Sequence, residues 1–92
     1  MIPVEGASRP RLARGVRLRE DTTRDTTQLL APERVLTPSA SAIAVLRRCD
    51  GLRDVEAIVD KLAAIYAADR EQLTADVRAL LAELALRRIV EL

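Results

Sequence analysis

Tyr66 is the only aromatic side chain in this 92-residue chain, which contains no Phe and no Trp. Its core must therefore be assembled from Leu, Val, Ile and Ala. Such side chains pack well on helices but supply few large anchors, so modest stability is expected, and dimerisation is one way to bury more surface. The length suits one small domain. Hydrophobic residues make up 49% of the chain and charged residues 32%, a globular rather than disordered balance.

Residues 1–13 read as a flexible N-terminal arm, because Pro3, Gly6 and Pro10 interrupt regular structure. Period-two patterning then takes over. Val16-Arg17-Leu18-Arg19 alternates apolar and charged residues, as a half-buried strand does. A polar turn over 20–25 leads to a second strand, Thr26 to Ala31. Pro32-Glu33 turns the chain into a third, very short strand, Arg34-Val35-Leu36.

Helical spacing governs the rest. Thr37-Pro38 is a start signal for a first helix, with Ala42, Ile43, Leu46 and Cys49 on one stripe and Asp50-Gly51 at its end. Asp54 is placed to cap a second helix, whose Val55, Ile58, Val59, Leu62 and Tyr66 share a face. Asp69 and Gln72 have capping-box spacing and open a third helix. Its stripe is Leu73, Val77, Leu80, Leu81 and Leu84, and Arg87-Arg88 marks its end. Ile89 to Leu92 form a short apolar tail able to pack back on the core. Strands grouped ahead of helices give an α+β domain over 14–92: three short antiparallel strands followed by three helices, resembling a winged helix-turn-helix.

The composition argues against catalysis. The chain has no His, the commonest general base and metal ligand. Its single Cys, Cys49, falls on an apolar stripe and reads as an inert core thiol. Gly6, Gly15 and Gly51 are isolated, so no phosphate-cradling loop is present. The carboxylates show no cation-clamping spacing. No catalytic residue, metal or cofactor is expected. With 15 basic and 14 acidic residues the net charge is +1, which is not the footprint of a nucleic-acid binder. No apolar run is long enough to span a bilayer, and the lone Cys fits a reducing, cytoplasmic setting. The basic run Arg9, Arg11, Arg14, Arg17 and Arg19 reads as a solvated face or tail, with contact to phosphate or an acidic partner as the alternative.

Binding is the remaining class. Three short strands leave open edges, and an extended peptide can pair with such an edge. If the strand at 34–36 is an edge, the third helix forms the other wall of a groove. A DNA-binding winged helix and a small dimerisation module are the rival classes. The mixed charges of the third helix disfavour the first.

Several blocks together resemble the PqqD family of pyrroloquinoline quinone biosynthesis proteins. They are Arg9-Pro10-Arg11-Leu12, the run Gly15 to Asp21, the run Leu29 to Val35, Cys49-Asp50-Gly51, and Asp76-Val77 followed by Leu80-Leu81 and Glu83-Leu84. The resemblance covers nearly the whole chain, and its specificity lies in the set rather than in any one block. It departs at Thr26-Thr27-Gln28, where relatives often carry an aromatic residue, and at Thr37-Pro38-Ser39, where they often read Asn-Asp. Arg87-Arg88-Ile89 also lacks the Gly usual before the final apolar pair.

The resemblance implies a recognition element for a ribosomally made precursor peptide. Its expected partners are the peptide PqqA and the radical S-adenosylmethionine enzyme PqqE, with neither nucleic acid nor membrane as a partner and a homodimer as a possibility. It implies a peptide lying along the third strand and against the third helix. Carried onto this sequence, the binding residues are Glu33, Arg34, Val35 and Leu36, with Asp76, Val77, Leu80 and Leu81 opposite.

Overall fold

The computed structural model describes residues 4–92. In chain order these form β1 (Arg11–Leu12), β2 (Arg17–Asp21), β3 (Thr26–Ala31), β4 (Arg34–Leu36), α1 (Ala40–Leu46), α2 (Val55–Tyr66), α3 (Arg70–Leu86) and β5 (Val90–Glu91). The α+β architecture read from the sequence is present, with an antiparallel sheet in the order β2-β3-β4 followed by three helices. Two further short strands, β1 and β5, pair antiparallel as a separate ribbon joining the two ends of the chain.

Cross-strand rows explain which sheet face is buried. Leu18, Leu29 and Leu36 oppose one another across the three strands, and this row faces the helices. Arg17, Leu30 and Val35 form the neighbouring row on the other face. A one-residue slip would exchange the two rows, so burial of Leu29 pins the register.

The core is aliphatic. Leu29, Val45, Leu46, Val55, Ile58, Val59, Leu62, Val77, Leu81, Ile89 and Val90 are buried, with no buried polar residue among the described ones. Tyr66 is on the surface. The apolar tail does pack back, as Ile89 and Val90 are nearly fully buried.

Helix ends follow local capping chemistry. Asp54 accepts from the Ala57 N–H, and Asp69 from the Gln72 N–H. Only half of the expected capping box forms, because the Gln72 amide donates to Asp76 instead of reaching back. The first helix is shorter than its sequence pattern. Ser39, not Thr37, is its cap, accepting from the Ala42 N–H, so Pro38 lies outside the helix rather than at its first position. The far end comes at Leu46, which leaves Cys49 beyond the helix. The Cys49 thiol is still buried and donates to the Val45 carbonyl.

Residues 1–3 of the expected arm lie outside the described residues. The remainder of it, 4–13, lies on the fold rather than apart from it. The Gly6 and Ser8 carbonyls accept from the Glu56 and Val55 N–H groups, which α2 cannot satisfy internally. Pro10 is buried, its carbonyl accepts from Gly51, and Arg11 pairs with Glu91. The boundary at residue 13 therefore does not separate an arm from a domain in the described region.

Candidate functional site

Among the described residues β4 is an edge strand, paired with β3 alone. Ala31 and Arg34 close the two-residue turn Pro32-Glu33. Pro32 fixes a negative φ, and Glu33 takes φ 64°, in the left-handed region. Alternate residues of an antiparallel strand bond to alternate sides. With Arg34 bonding toward β3, Val35 directs its backbone N–H and C=O away from the sheet. Val35 is 58% exposed. β2 is the opposite edge, but its Arg17 and Arg19 guard it with charge.

α3 stands beside β4 and makes the edge into a groove. A cleft of about 260 Å³ is lined by Leu36 from β4, by Thr37 and Pro38 after it, by Ala42 and Leu46 from α1, by Leu80, Glu83 and Leu84 from α3 with its cap Arg87, and by Leu29 and Ile89 at its base. The Arg34 guanidinium crosses this groove and donates to the Arg87 carbonyl at 2.9 Å. Arg87 in turn pairs with Glu83 one turn earlier, at 2.9 Å. A second cleft, about 270 Å³, opens between α1, α2 and the first half of α3, and includes Asp76, Val77 and Leu80.

The sequence-assigned residues therefore separate into three groups. Leu36 and Leu80 line the groove and Arg34 reaches its end through Arg87, whereas Val35 offers its outward backbone at the edge and turns its side chain to the other sheet face. Asp76 and Val77 lie on the same face of α3 but line the second cleft, with Val77 nearly buried at 2% exposure. Glu33 sits exposed at the turn and lines neither cleft. Leu81 corrects the sequence assignment: it is fully buried and belongs to the core rather than the groove wall. Its place follows from helical geometry, since it is displaced by about 100° from Leu80. Glu83 and Arg87 are groove residues absent from that assignment, although steps of three and seven from Leu80 put them on its face.

Three titratable groups among the described residues are displaced from their usual values, none of them in either cleft. Burial pushes the Cys49 thiol up to about 12, so it is protonated and unreactive near neutrality. Glu20, held by the Arg47 guanidinium, and Asp50, which accepts from the Arg53 and Leu52 N–H groups, lie below their usual values. Both are exposed ion-pair or turn carboxylates away from the groove. Among the described residues no cluster of His, Cys, Asp or Glu has the arrangement of a metal site. No described helix is long and apolar enough to cross a membrane.

The family model of PqqD, coenzyme PQQ synthesis protein D, matches residues 27–90. The chain belongs to the PqqD family. Its relatives include a "PqqA binding protein" of Rhodopseudomonas palustris (strain BisB5), 51% identical over 84 residues, covering 91% of this chain and 82% of the relative. Another "PqqA binding protein", from Xanthomonas oryzae pv. oryzae, is 45% identical over all 92 residues and the whole of both chains. Among solved PqqD structures, the solution structure of the PqqD truncation of Methylobacterium extorquens PqqCD superposes with a TM-score of 0.81 at 43% identity, covering 97% of this chain and 95% of that one. It is described as a functional, stand-alone recognition element for ribosomally synthesised and post-translationally modified peptides. The crystal structure of PqqD from Xanthomonas campestris gives a TM-score of 0.61 at 38% identity, covering 97% and 99%.

Proposed function

We propose that this chain binds the precursor peptide PqqA as an added strand on β4 and presents it to PqqE during pyrroloquinoline quinone biosynthesis, without catalysing a step itself. The observation that carries this reading is the open β4 edge beside the apolar face of α3. Backbone pairing at Val35 would give affinity with little dependence on sequence. Pockets around Leu36, Leu80 and Leu84 would select side chains. The PqqA-binding names of relatives at 45–51% identity support the choice of peptide.

The DNA-binding alternative gains little from α3, because Arg70 is paired with Asp60 and the cap Arg87 with Glu83, which leaves Arg78 as a lone exposed cation among Glu71, Asp76 and Glu83. A second copy pairing through the same edge would compete with peptide.

Val35→Pro tests the reading. It removes the outward N–H without touching the β3–β4 ladder, a position where an edge strand tolerates Pro. PqqA titrated into the variant, followed by calorimetry, should show binding lost while circular dichroism and the thermal transition stay near those of the parent. Undiminished PqqA affinity in a folded Val35→Pro protein would refute β4 pairing.

A further inference from the structure

The chain's one aromatic residue is not in its core. Tyr66 closes the C-terminal end of α2 with 58% of its surface exposed, and it lines the second cleft together with Ser41, Val45, Leu62 and Leu73. An exposed aromatic ring beside an open apolar cleft is how binding faces present an anchor.

This cleft and the β4 groove lie next to each other along α3. Leu80 lines both. α3 presents Leu73, Asp76, Val77 and Leu80 to one, and Leu80, Glu83, Leu84 and Arg87 to the other. These positions make a single helix face about 21 Å long, at about 1.5 Å per residue. β4 accompanies only part of it, because its three residues span roughly 10 Å. Beyond Leu36 the facing wall is Thr37 and Pro38 and then α1, so the strand edge ends there. A peptide running past Leu36 is held mainly through side chains. The cleft, at about 270 Å³, lies below the roughly 300–1,000 Å³ of small-molecule sites, which suits a side chain better than a free ligand.

We propose that the α1–α2–α3 cleft is a second subsite, which takes one large apolar, preferably aromatic, side chain from the stretch of peptide flanking the segment paired on β4. This rests on the peptide reading above. It makes recognition bipartite, with backbone pairing at Val35 and one side-chain anchor against Tyr66, Leu73 and Leu80.

Ser41→Trp provides the test. Ser41 is exposed, and its hydroxyl makes no hydrogen bond among the described residues, so an indole there fills the cleft from its margin. The chain has no native Trp, so the same variant reports its own environment by fluorescence. PqqA affinity should fall about tenfold or more, the order expected when one large apolar side chain is denied burial. Tyr66→Ala, which opens the cleft instead of filling it, should also weaken PqqA. With PqqA variants in which each large apolar residue is replaced in turn by Ala, one variant should bind parent and Ser41→Trp proteins equally. Parent-like PqqA affinity in both cleft variants, with Val35→Pro still abolishing binding, would overturn the second subsite and leave β4 pairing intact. Parent-like affinity in Val35→Pro would overturn the peptide reading itself, and the subsite with it.

Discussion

The guanidinium of Arg34, on the edge strand, donates to the main-chain carbonyl of Arg87, at the end of α3, at 2.9 Å. The two residues are 53 positions apart, and the bond ties the two walls of the groove at one end. It also gives a partner to a carbonyl that the helix cannot satisfy internally, and it places a cation at the negative end of the helix dipole.

Removing that tie should therefore loosen α3 at its C-terminus. Arg34→Ala is expected to destabilise the fold by about 1 kcal/mol, less than the roughly 1.5–3 kcal/mol usual for a hydrogen bond with a charged partner, because the pair is exposed. Urea unfolding gives the magnitude. Amide exchange gives the location, with faster exchange expected at Arg88 and Ile89, whose N–H groups close the last turn of α3. Unchanged protection there would show that Arg34 does not hold the wall.

Leu80 and Leu81 are sequence neighbours with opposite duties. Leu80 is half-buried and lines both clefts, whereas Leu81 is fully buried. Leu81→Ala should cost about 2–5 kcal/mol of stability through the cavity it leaves. In a small aliphatic core that cost approaches the whole margin. Leu80→Ala should cost much less stability and instead weaken PqqA binding. Paired urea titrations and calorimetry separate the two effects, and equal loss of stability in both variants would contradict the assignment.

How far the fold could be read from sequence depended on how local its causes are. The β2, β3 and β4 strands and the Asp54 and Asp69 caps rest on contacts within a few residues, and all are present. The β1–β5 ribbon has no local signature, because Arg11 and Glu91 lie 80 positions apart and neither two-residue strand carries a pattern. Docking of residues 4–13 was hidden for a related reason. Gly6 and Ser8 bind through their carbonyls, so side-chain chemistry gives no hint of it. The groove was legible as an edge opposite a helix. Assigning Leu81 to it failed because a stripe of Leu residues does not say which member faces inward. The second cleft needs three helices placed together, and no local pattern encodes that.

Arg88 adopts φ 61° just past the end of α3. The Ile89 N–H reaches back to the Leu84 carbonyl, and the Arg88 N–H to that of Ala85. That bonding is a Schellman motif, whose left-handed position favours Gly. Arg88 stands there at a backbone cost of about 1 kcal/mol, and its side chain makes no hydrogen bond or ion pair among the described residues. Arg88→Gly should therefore stabilise the protein by about 0.5–1 kcal/mol despite the added freedom of the unfolded chain. A higher urea midpoint with an unchanged slope is the expected result, and a lower midpoint would reveal a hidden role for the guanidinium.

Cys49 gives a test of the core that needs no substitution in the groove. Its thiol is buried, bonded to the Val45 carbonyl, and held up at about 12 from an ordinary 9.0, mainly by burial with a smaller push from Asp50. Only the thiolate reacts with disulfide reagents. At pH 8 the folded protein should therefore label slowly, at a rate set by opening of the core, and denatured protein should label at once. The raised value also carries a pH dependence. Stability supplied by the neutral thiol is fully present below pH 9 and is lost as pH rises from 9 towards 12, because the unfolded chain ionises first. Cys49→Ala should lack that part of the alkaline decline. Urea midpoints measured at pH 7, 9 and 10.5 for both proteins give the comparison, and parallel declines would mean that Cys49 ionises as freely in the folded state as in the unfolded one.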